Sequence, residues 1–374
     1  MGLSPEDALR LNVLLAGSLE AVRIDESSMT LYAMSGRGEA KVKLNPNCRD
    51  ESYLRQVRET LSSHVLGSPG GYPVYLKRWT RMGQARDEIL ESLLLLGEPE
   101  AVVAVVNAGG ITDELARRAW WTSQTADNAR CMLRQAAVVA GSMGPVLAGF
   151  LVEFLPFEEE ARDQIASVRL VLQGDLVDAS VRQRLWEKGR HKNALHVGFL
   201  QSVPDALPEP PAAHSAWAGF SARLDALVAA GNPYAMQLCR LLSPAGQAWL
   251  GTVRTVLKKP LNQDVMVELM HAIADYFEPL PCGREKLSDI QAIVAVADNM
   301  LGGASGELPQ LASLLQAVPD AVQQVRAMLV LSMVDEPLLN PVFSRTDAIG
   351  TVMRKKLKPI TEPLQEQLQI LAAL

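Results

Sequence analysis

Residues 64–84, HVLGSPGGYPVYLKRWTRMGQ, carry the side chains of this chain that are best suited to binding an anion. Basic and aromatic residues alternate there, and no acidic residue occurs between Thr60 and Arg86. In an extended backbone, side chains two positions apart share a face, so the rings could stack on bases while the cations contact phosphates. The candidate anion-binding or nucleic-acid-binding residues are Tyr75, Lys77, Arg78, Trp79 and Arg81.

A second arrangement of the same stretch is purely structural. If Pro73 opens a helical turn, Tyr75, Trp79 and Met82 form an apolar stripe, and the cations lie on its solvated flank. The helical pattern that continues over residues 84–96 favours this arrangement. Both alternatives stay open, so the stretch is either a binding surface or a joint between two parts of the chain.

The sequence contains no motif for a catalytic or cofactor site. It has no GxxxxGK[ST] phosphate loop, no Rossmann fingerprint and no GxSxG nucleophile elbow. His191 and His196 are five positions apart, or about 140° around a helix, so they would not converge on a metal ion. We therefore predict no catalytic residue, no cofactor and no metal ligand.

Two charged clusters have structural explanations. The three glutamates at 158–160 are predicted to occupy the first turn of a helix, where acidic side chains complement the helix dipole. The run RKKLK at 354–358 is predicted to end a helix before Pro359, where cations interact favourably with the opposite end of the dipole. Neither cluster is predicted to be a functional site.

The composition is typical of a globular cytoplasmic protein. With 374 residues, 48% of them hydrophobic, the chain can bury one elongated core or two compact ones. A formal net charge of -6 argues against a surface adapted as a whole to polyanions. The first residues lack the basic and apolar regions of a signal peptide. Four widely spaced cysteines are predicted to be reduced and mostly buried, namely Cys48, Cys131, Cys239 and Cys282.

One uncharged stretch, residues 135–152, is long enough to raise the question of a membrane span. Gly141 and Pro145 interrupt it in the middle, and acidic residues follow from Glu153. These features predict two short buried helices that meet at a Gly-Pro corner, and no membrane span.

The first 83 residues read as a small α+β cap. Ser4, Pro5 and the acids that follow predict a helix over about residues 5–16, because they provide a cap, a first-turn proline and dipole-matched charges. Three short runs with alternating or β-branched residues predict an antiparallel meander over about residues 20–45. Helical spacing resumes from Tyr53 and lasts as far as Gly67.

Beyond residue 84, the pattern is that of many short helices with short connections. About sixteen such helices favour an α-solenoid-like array of helical hairpins over a four-helix bundle, which has fewer and longer helices. The fold class is therefore predicted as mainly α with a small N-terminal α+β cap. Examples of the predicted helices are 84–96, 99–107, 113–121, 126–139, 158–172, 245–258, 262–277 and 288–301.

Internal echoes support an array. The pattern Arg-x-x-x-Trp followed by Asn-Ala occurs at 117–129 and again at 182–194. A second echo relates the turns at 97–101 and 231–235, each with Gly, any residue and Pro before an apolar helix. Stacked hairpins need such repeated turns, because a single hairpin cannot bury its apolar face alone.

Two breaks divide the array. Four prolines between Pro204 and Pro211 favour an extended backbone, which predicts a linker or a long surface connection. A shorter break is predicted at 301–309, LGGASGELP. The predicted organisation is a cap at 1–83, a first half of the array at 84–203 and a second half at 212–374.

Seven stretches of the chain carry a resemblance to a known family: RLNVLLA, RIDESSMTLY, LNPNCRDE, HVLGSPGGYPVYLKRWTRMGQ, GEPEAVVAVV, TDELARRAWW and FLVEFLPFEEE. Together they resemble the DsrS family, whose members are associated with the dissimilatory sulfite reductase (dsr) cluster of sulfur-oxidising bacteria. The resemblance covers most of the first 200 residues and is expected to extend over the whole chain. It implies a role in sulfur metabolism as a cytoplasmic accessory to sulfur oxidation, acting on expression or assembly of that system, and it carries no catalytic or binding residue onto this chain.

The residues and the family resemblance together favour a protein-binding function over an RNA-binding one. The expected function is a non-catalytic helical scaffold or regulatory module that binds a protein of the sulfur-oxidation system. The alternative is an RNA-binding regulator that acts after transcription on the sulfur-oxidation genes, as the basic and aromatic segment suggests.

Overall fold

The computed structural model describes residues 3–67, 89–209, 212–281, 287–346 and 348–372. The chain divides into two compact units, a first unit Met1–Phe154 and a second unit Leu155–Leu374. This division falls inside the segment predicted as the first half of the array. The predicted boundary at 83/84 lies outside the described residues.

The predicted fold class is confirmed, since helices dominate both units and the three described strands form one small antiparallel sheet near the amino terminus. The strands are β1 (Leu19–Asp25), β2 (Thr30–Ser35) and β3 (Gly38–Lys43), in the order β1-β2-β3. The meander predicted at 20–45 is therefore confirmed.

Two helices cover one face of this sheet. Helix α1 (Pro5–Leu15) begins as predicted, with the Asp7 N–H donating to Ser4 Oγ at 3.2 Å. Helix α2 (Asp50–Leu66) ends at Gly67, whose φ of 67° is left-handed. The core between these helices and the sheet is built from buried apolar side chains, namely Leu11, Leu15, Val22, Leu31, Ala33, Leu44, Tyr53, Leu54, Val57 and Leu61.

A buried carboxylate ties α1 to α2. The side chain of Asp7 accepts hydrogen bonds from the Tyr53 hydroxyl and from the Asn45 N–H, the latter at 2.7 Å. Burial alone raises the pKa of the Asp7 carboxyl, but these hydrogen bonds hold it below its ordinary value of 3.8. The charged form of Asp7 therefore stabilises the fold above about pH 4.

Short helices complete the first unit, and α5 contacts β1. The segment predicted as one helix over 126–139 is two helices separated by residues 133–135. The helices are α3 (Leu90–Leu93), α4 (Pro99–Val106), α5 (Asp113–Thr122), α6 (Ala126–Met132), α7 (Ala136–Val139) and α8 (Met143–Phe154).

The uncharged stretch forms two short helices, α7 and α8, as predicted, but their corner lies at residues 140–142 and Pro145 is inside α8. The helices are also less buried than predicted, since Ala136, Ala137 and Val146 are exposed. The Asp113 carboxylate holds this corner by accepting from the N–H groups of Ser142 and Met143, both at 2.9 Å. Gly141 leaves room for this carboxylate, because a Cβ there would lie 2.2 Å from Asp113 Cγ. In the described part of the chain, no helix combines the length and apolar character that a bilayer crossing requires.

The second unit contains only helices in its described part. Helix α11 packs against α9, α14 and α15, and α20 packs against α14 and α18, so neighbours in space include helices far apart in sequence. The helices are α9 (Ala161–Val171), α10 (Ala179–Gly189), α11 (Asn193–Ser202), α12 (Trp217–Ala229), α13 (Pro233–Leu242), α14 (Pro244–Lys258), α15 (Gln263–Tyr276), α16 (Ile290–Glu307), α17 (Pro309–Ala317), α18 (Val322–Ser332), α19 (Asn340–Phe343) and α20 (Gly350–Leu371).

Two predicted helix ends are wrong. Helix α16 continues through Gly302 and Gly303 as far as Glu307, so the break predicted at 301–309 is only the junction with α17. Helix α20 continues through Pro359, so the run 354–358 lies in its amino-terminal half and not at its carboxyl-terminal end. Buried side chains recur on both sides of this proline, and their burial offsets its missing hydrogen bond; they are Met353, Leu357, Ile360, Leu364 and Leu368.

The acidic run 158–160 precedes α9 and does not form its first turn, because the helix begins at Ala161. Glu160 occupies the capping position, without a side-chain capping bond. The charges therefore still lie at the amino-terminal end of a helix, but they precede its first turn, because the helix begins at Ala161 and not at the predicted residue 158.

The sequence echoes correspond to repeated local geometry. Gly97 and Gly231 both have left-handed φ angles, of 64° and 75°, and each precedes a helix with proline at its first position. The Arg-x-x-x-Trp echo marks two pairs of consecutive helices, α5–α6 and α10–α11. Its tryptophans differ, because Trp186 is buried whereas Trp121 is only half-buried.

Candidate functional site

The predicted anion-binding residues lie outside the described residues. Tyr75, Lys77, Arg78, Trp79 and Arg81 all fall in the segment 68–88, for which no structure is described. Their role therefore stays a prediction, as does the choice between the binding surface and the joint.

The described residues contain no cluster of three or more His, Cys, Asp or Glu that could hold a metal ion. His191 lies in the turn before α11 and is exposed, whereas His196 is buried inside that helix. The His196 Nε2 lies 3.1 Å from the Trp186 carbonyl oxygen, and burial lowers the pKa of the imidazole. This histidine is a neutral core residue.

The three described cysteines are free thiols. Cys48, Cys131 and Cys239 are partly buried, which is less than the burial predicted for them. Burial raises the pKa of the Cys131 and Cys239 thiols, which disfavours the reactive thiolate.

The first unit has a groove between α1 and β3. It has a volume of about 580 Å³ and combines an apolar floor with basic side chains. We call it the α1–β3 groove; its lining residues are Leu9, Arg10, Val13, Leu14, Lys41, Val42 and Lys43.

Its apolar part comes from the outer face of α1. Leu9 and Val13 are four positions apart, so they project from the same side of the helix, opposite the buried Leu11 and Leu15. They remain 65% and 68% exposed, respectively. The 11-residue helix α1 is therefore apolar on two sides, of which one packs on the core and the other is exposed and can contact another molecule.

The other wall of the groove is a sheet edge. On the opposite edge, the Val22 N–H of β1 donates to the Leu94 carbonyl at 2.9 Å, so part of that edge is already hydrogen-bonded. Strand β3 pairs only with β2 among the described residues. Every second residue of an edge strand directs its N–H and C=O away from its neighbour, which makes β3 a template for a further strand.

The groove carries a positive charge at its rim. Arg10 is paired with Glu6 at 2.5 Å, and the Lys43 ammonium donates to the Ser28 carbonyl oxygen. Lys41 is exposed and makes no ion pair with any described residue. A partner with acidic side chains therefore meets cations at one end of an apolar surface.

The remaining aromatic and basic cluster of the sheet is neutralised internally. The Arg23 guanidinium lies 4.5 Å from the Tyr32 ring centroid and 4.9 Å from that of Trp121. Glu39 accepts from Trp121 Nε1 at 3.1 Å and lies 3.8 Å from Arg23. These rings and cations contact one another, so they offer little to a nucleic acid.

Sequence reasoning did not identify the α1–β3 groove. The available signal was the apolar spacing in ALRLNVLLA, which places leucine or valine on both sides of α1. That pattern indicates a helix with two apolar faces, but the proximity of β3 arises only when the chain folds.

Comparison with family models, with curated proteins and with solved structures gives no significant match for this chain.

Proposed function

We propose that this chain is a non-catalytic accessory protein that binds an extended, acidic segment of a partner protein in the α1–β3 groove. On the resemblance to the DsrS family, we place that partner in bacterial sulfur oxidation. The observation that carries the proposal is a strand edge that no described residue pairs with, beside the exposed side chains of Leu9 and Val13.

The geometry favours recognition by strand addition. A partner strand beside β3 would satisfy the outward N–H and C=O groups, and its apolar side chains would cover Leu9 and Val13. Acidic side chains of the same segment would reach Lys41 and Lys43, which supply orientation and selectivity more than affinity. A basic segment would be repelled at the same place.

The test is recovery of a partner from a lysate of sulfur-oxidising cells. We expect the native chain to retain a sulfur-oxidation protein and the double variant L9Q/V13Q to lose it, because the variant removes the apolar contact without disturbing a buried residue. V146Q is the matched control, since Val146 is 50% exposed in α8 of the same unit. Equal recovery by L9Q/V13Q and the native chain would refute this binding site.

The second candidate is the RNA-binding regulator. It rests on the basic and aromatic residues of the segment 68–88 and on no described contact. It predicts a salt-dependent RNA affinity that falls when Lys77, Arg78 and Arg81 are replaced together by glutamine.

A further inference from the structure

A second groove, in the second unit, gathers basic side chains from two helices. It lies between the carboxyl-terminal end of α14 and the amino-terminal two thirds of α20 and has a volume of about 350 Å³. We call it the basic groove. Its polar lining includes Lys258, Thr351, Arg354, Lys355, Lys358 and Glu362.

The helix dipole does not account for this charge. Lys258 lies in the last turn of α14, where a cation is favourable, but Arg354, Lys355 and Lys358 lie beyond the first turn of the 22-residue helix α20, in its amino-terminal half. The dipole effect is confined to the first and last turns of a helix. The convergence of these three side chains with Lys258 therefore needs another explanation.

Internal pairing does not account for it either. Lys358 is paired with Glu362 at 3.0 Å. Arg354 is oriented by Thr351 Oγ1 at 3.0 Å and lies 3.5 Å from the Pro260 carbonyl oxygen, and neither of these partners is charged. Lys258 and Lys355 have no carboxylate partner among the described residues. The groove thus holds an excess of positive charge with oriented donors.

We infer that the basic groove binds a small ligand with linked phosphate groups. Ammonium and guanidinium groups are the usual protein partners of phosphate, and threonine hydroxyls add neutral donors. The volume lies within the range of small-molecule sites, roughly 300–1,000 Å³. None of the described lining residues is aromatic, so the groove lacks the stacking surface that single-stranded RNA requires.

The experiment is calorimetric titration of the full chain with inorganic triphosphate at low ionic strength. The double variant K258Q/K355Q is expected to weaken binding about tenfold or more, because it removes the two cations without a carboxylate partner. K356Q is the matched control, since Lys356 is exposed on α20 outside the groove, and it should change the affinity less than about twofold.

ATP in a parallel titration distinguishes the source of the phosphates, because tighter binding than triphosphate indicates a nucleotide and equal binding indicates a free oligophosphate.

Four results would overturn the inference. The first is no triphosphate binding by the native chain, and the second is equal weakening by K356Q and K258Q/K355Q. The third is loss of triphosphate binding in a K77Q/R78Q/R81Q variant with K258Q/K355Q unaffected. The fourth is tighter binding of oligouridylate than of triphosphate, lost in K258Q/K355Q, which would favour RNA as the ligand. Thermal melting of each variant distinguishes loss of binding from loss of folding.

Discussion

His196 is a buried histidine that packs against a tryptophan ring. Its ring lies 4.4 Å from the Trp186 ring, between centroids, and its Nε2 faces the Trp186 carbonyl oxygen. The other ring nitrogen, Nδ1, is buried and has no hydrogen-bond partner. Gly189 makes room for the ring, because a Cβ there would lie 2.2 Å from His196 Cδ2. Protonation would therefore place an uncompensated charge in the core.

This environment predicts a pH dependence of stability. Burial lowers the folded-state pKa of His196 below its ordinary value of 6.5, so below pH 6.5 the unfolded chain binds a proton that the folded chain does not. The free energy of unfolding should fall as the pH drops from 6.5 to the folded-state pKa, by at most about 1.4 kcal/mol per pH unit for one proton. In H196L this contribution should vanish.

The measurement is urea unfolding at several pH values between 5 and 7.5, for the native chain and for H196L. His214 contributes in the same direction, because burial also lowers its pKa, so a smaller slope remains in the variant. Identical slopes for the two proteins would show that His196 is not the neutral core residue described above.

At the scale of elements, a tight corner between two helices can require glycine, because a side chain there would collide with backbone. Helix α13 ends at Leu242 and α14 begins at Pro244, so the chain turns over a single residue, Ser243. A Cβ at Gly246 would lie 2.1 Å from the Arg240 carbonyl oxygen, and backbone cannot move aside as a flexible side chain can. The α13–α14 corner therefore closes only over a glycine.

Two glycines of α14 provide a matched prediction. G246A should lower the free energy of unfolding by roughly 2–4 kcal/mol, because the new methyl group collides with backbone. G251A should leave it unchanged or raise it by about 0.5–1 kcal/mol, because Gly251 has open space around it and alanine favours a helix. Thermal or chemical unfolding of the two variants tests this, and equal effects would contradict the structure of the corner.

At the scale of the whole molecule, the proline-rich segment is tied to the second unit. Leu207 is buried, and Asp205 pairs with Arg240 at 2.7 Å. Glu209 pairs with Arg190, also at 2.7 Å. Beyond the prolines, the His214 N–H donates to the Leu242 carbonyl oxygen at 2.9 Å. These contacts are those of a surface connection held in place, one of the two alternatives that its composition predicted.

Limited proteolysis tests whether the proline-rich segment is a surface connection held in place or a flexible linker. Because cleavage requires local unfolding, we expect the segment 203–215 to resist protease at least as well as other connections of the chain. The fragments can be identified by mass spectrometry. A pair of stable fragments that end between 203 and 215 would instead support the predicted division into 84–203 and 212–374.

The sequence alone determined the elements whose signals are local. Capping at Ser4 and Pro5, alternation over 20–45, and proline after glycine at 97–99 and 231–233 each involve residues within one turn of one another. Such signals act on the backbone directly, so the helices and strands exist where these residues predict them.

Tertiary structure decided those features, such as the end of a helix or the lining of a groove, that depend on burial or on residues distant in the sequence. Local signals end a helix at Pro359, yet buried side chains on both sides of it carry α20 onward. Lys258 and Lys355 line one groove although almost a hundred positions separate them in the sequence. Leu9 likewise becomes part of a groove only because β3 lies beside α1 in the folded chain. Side chains from distant parts of a chain come together only when the core that joins their elements forms, and neither candidate groove is therefore visible in the sequence.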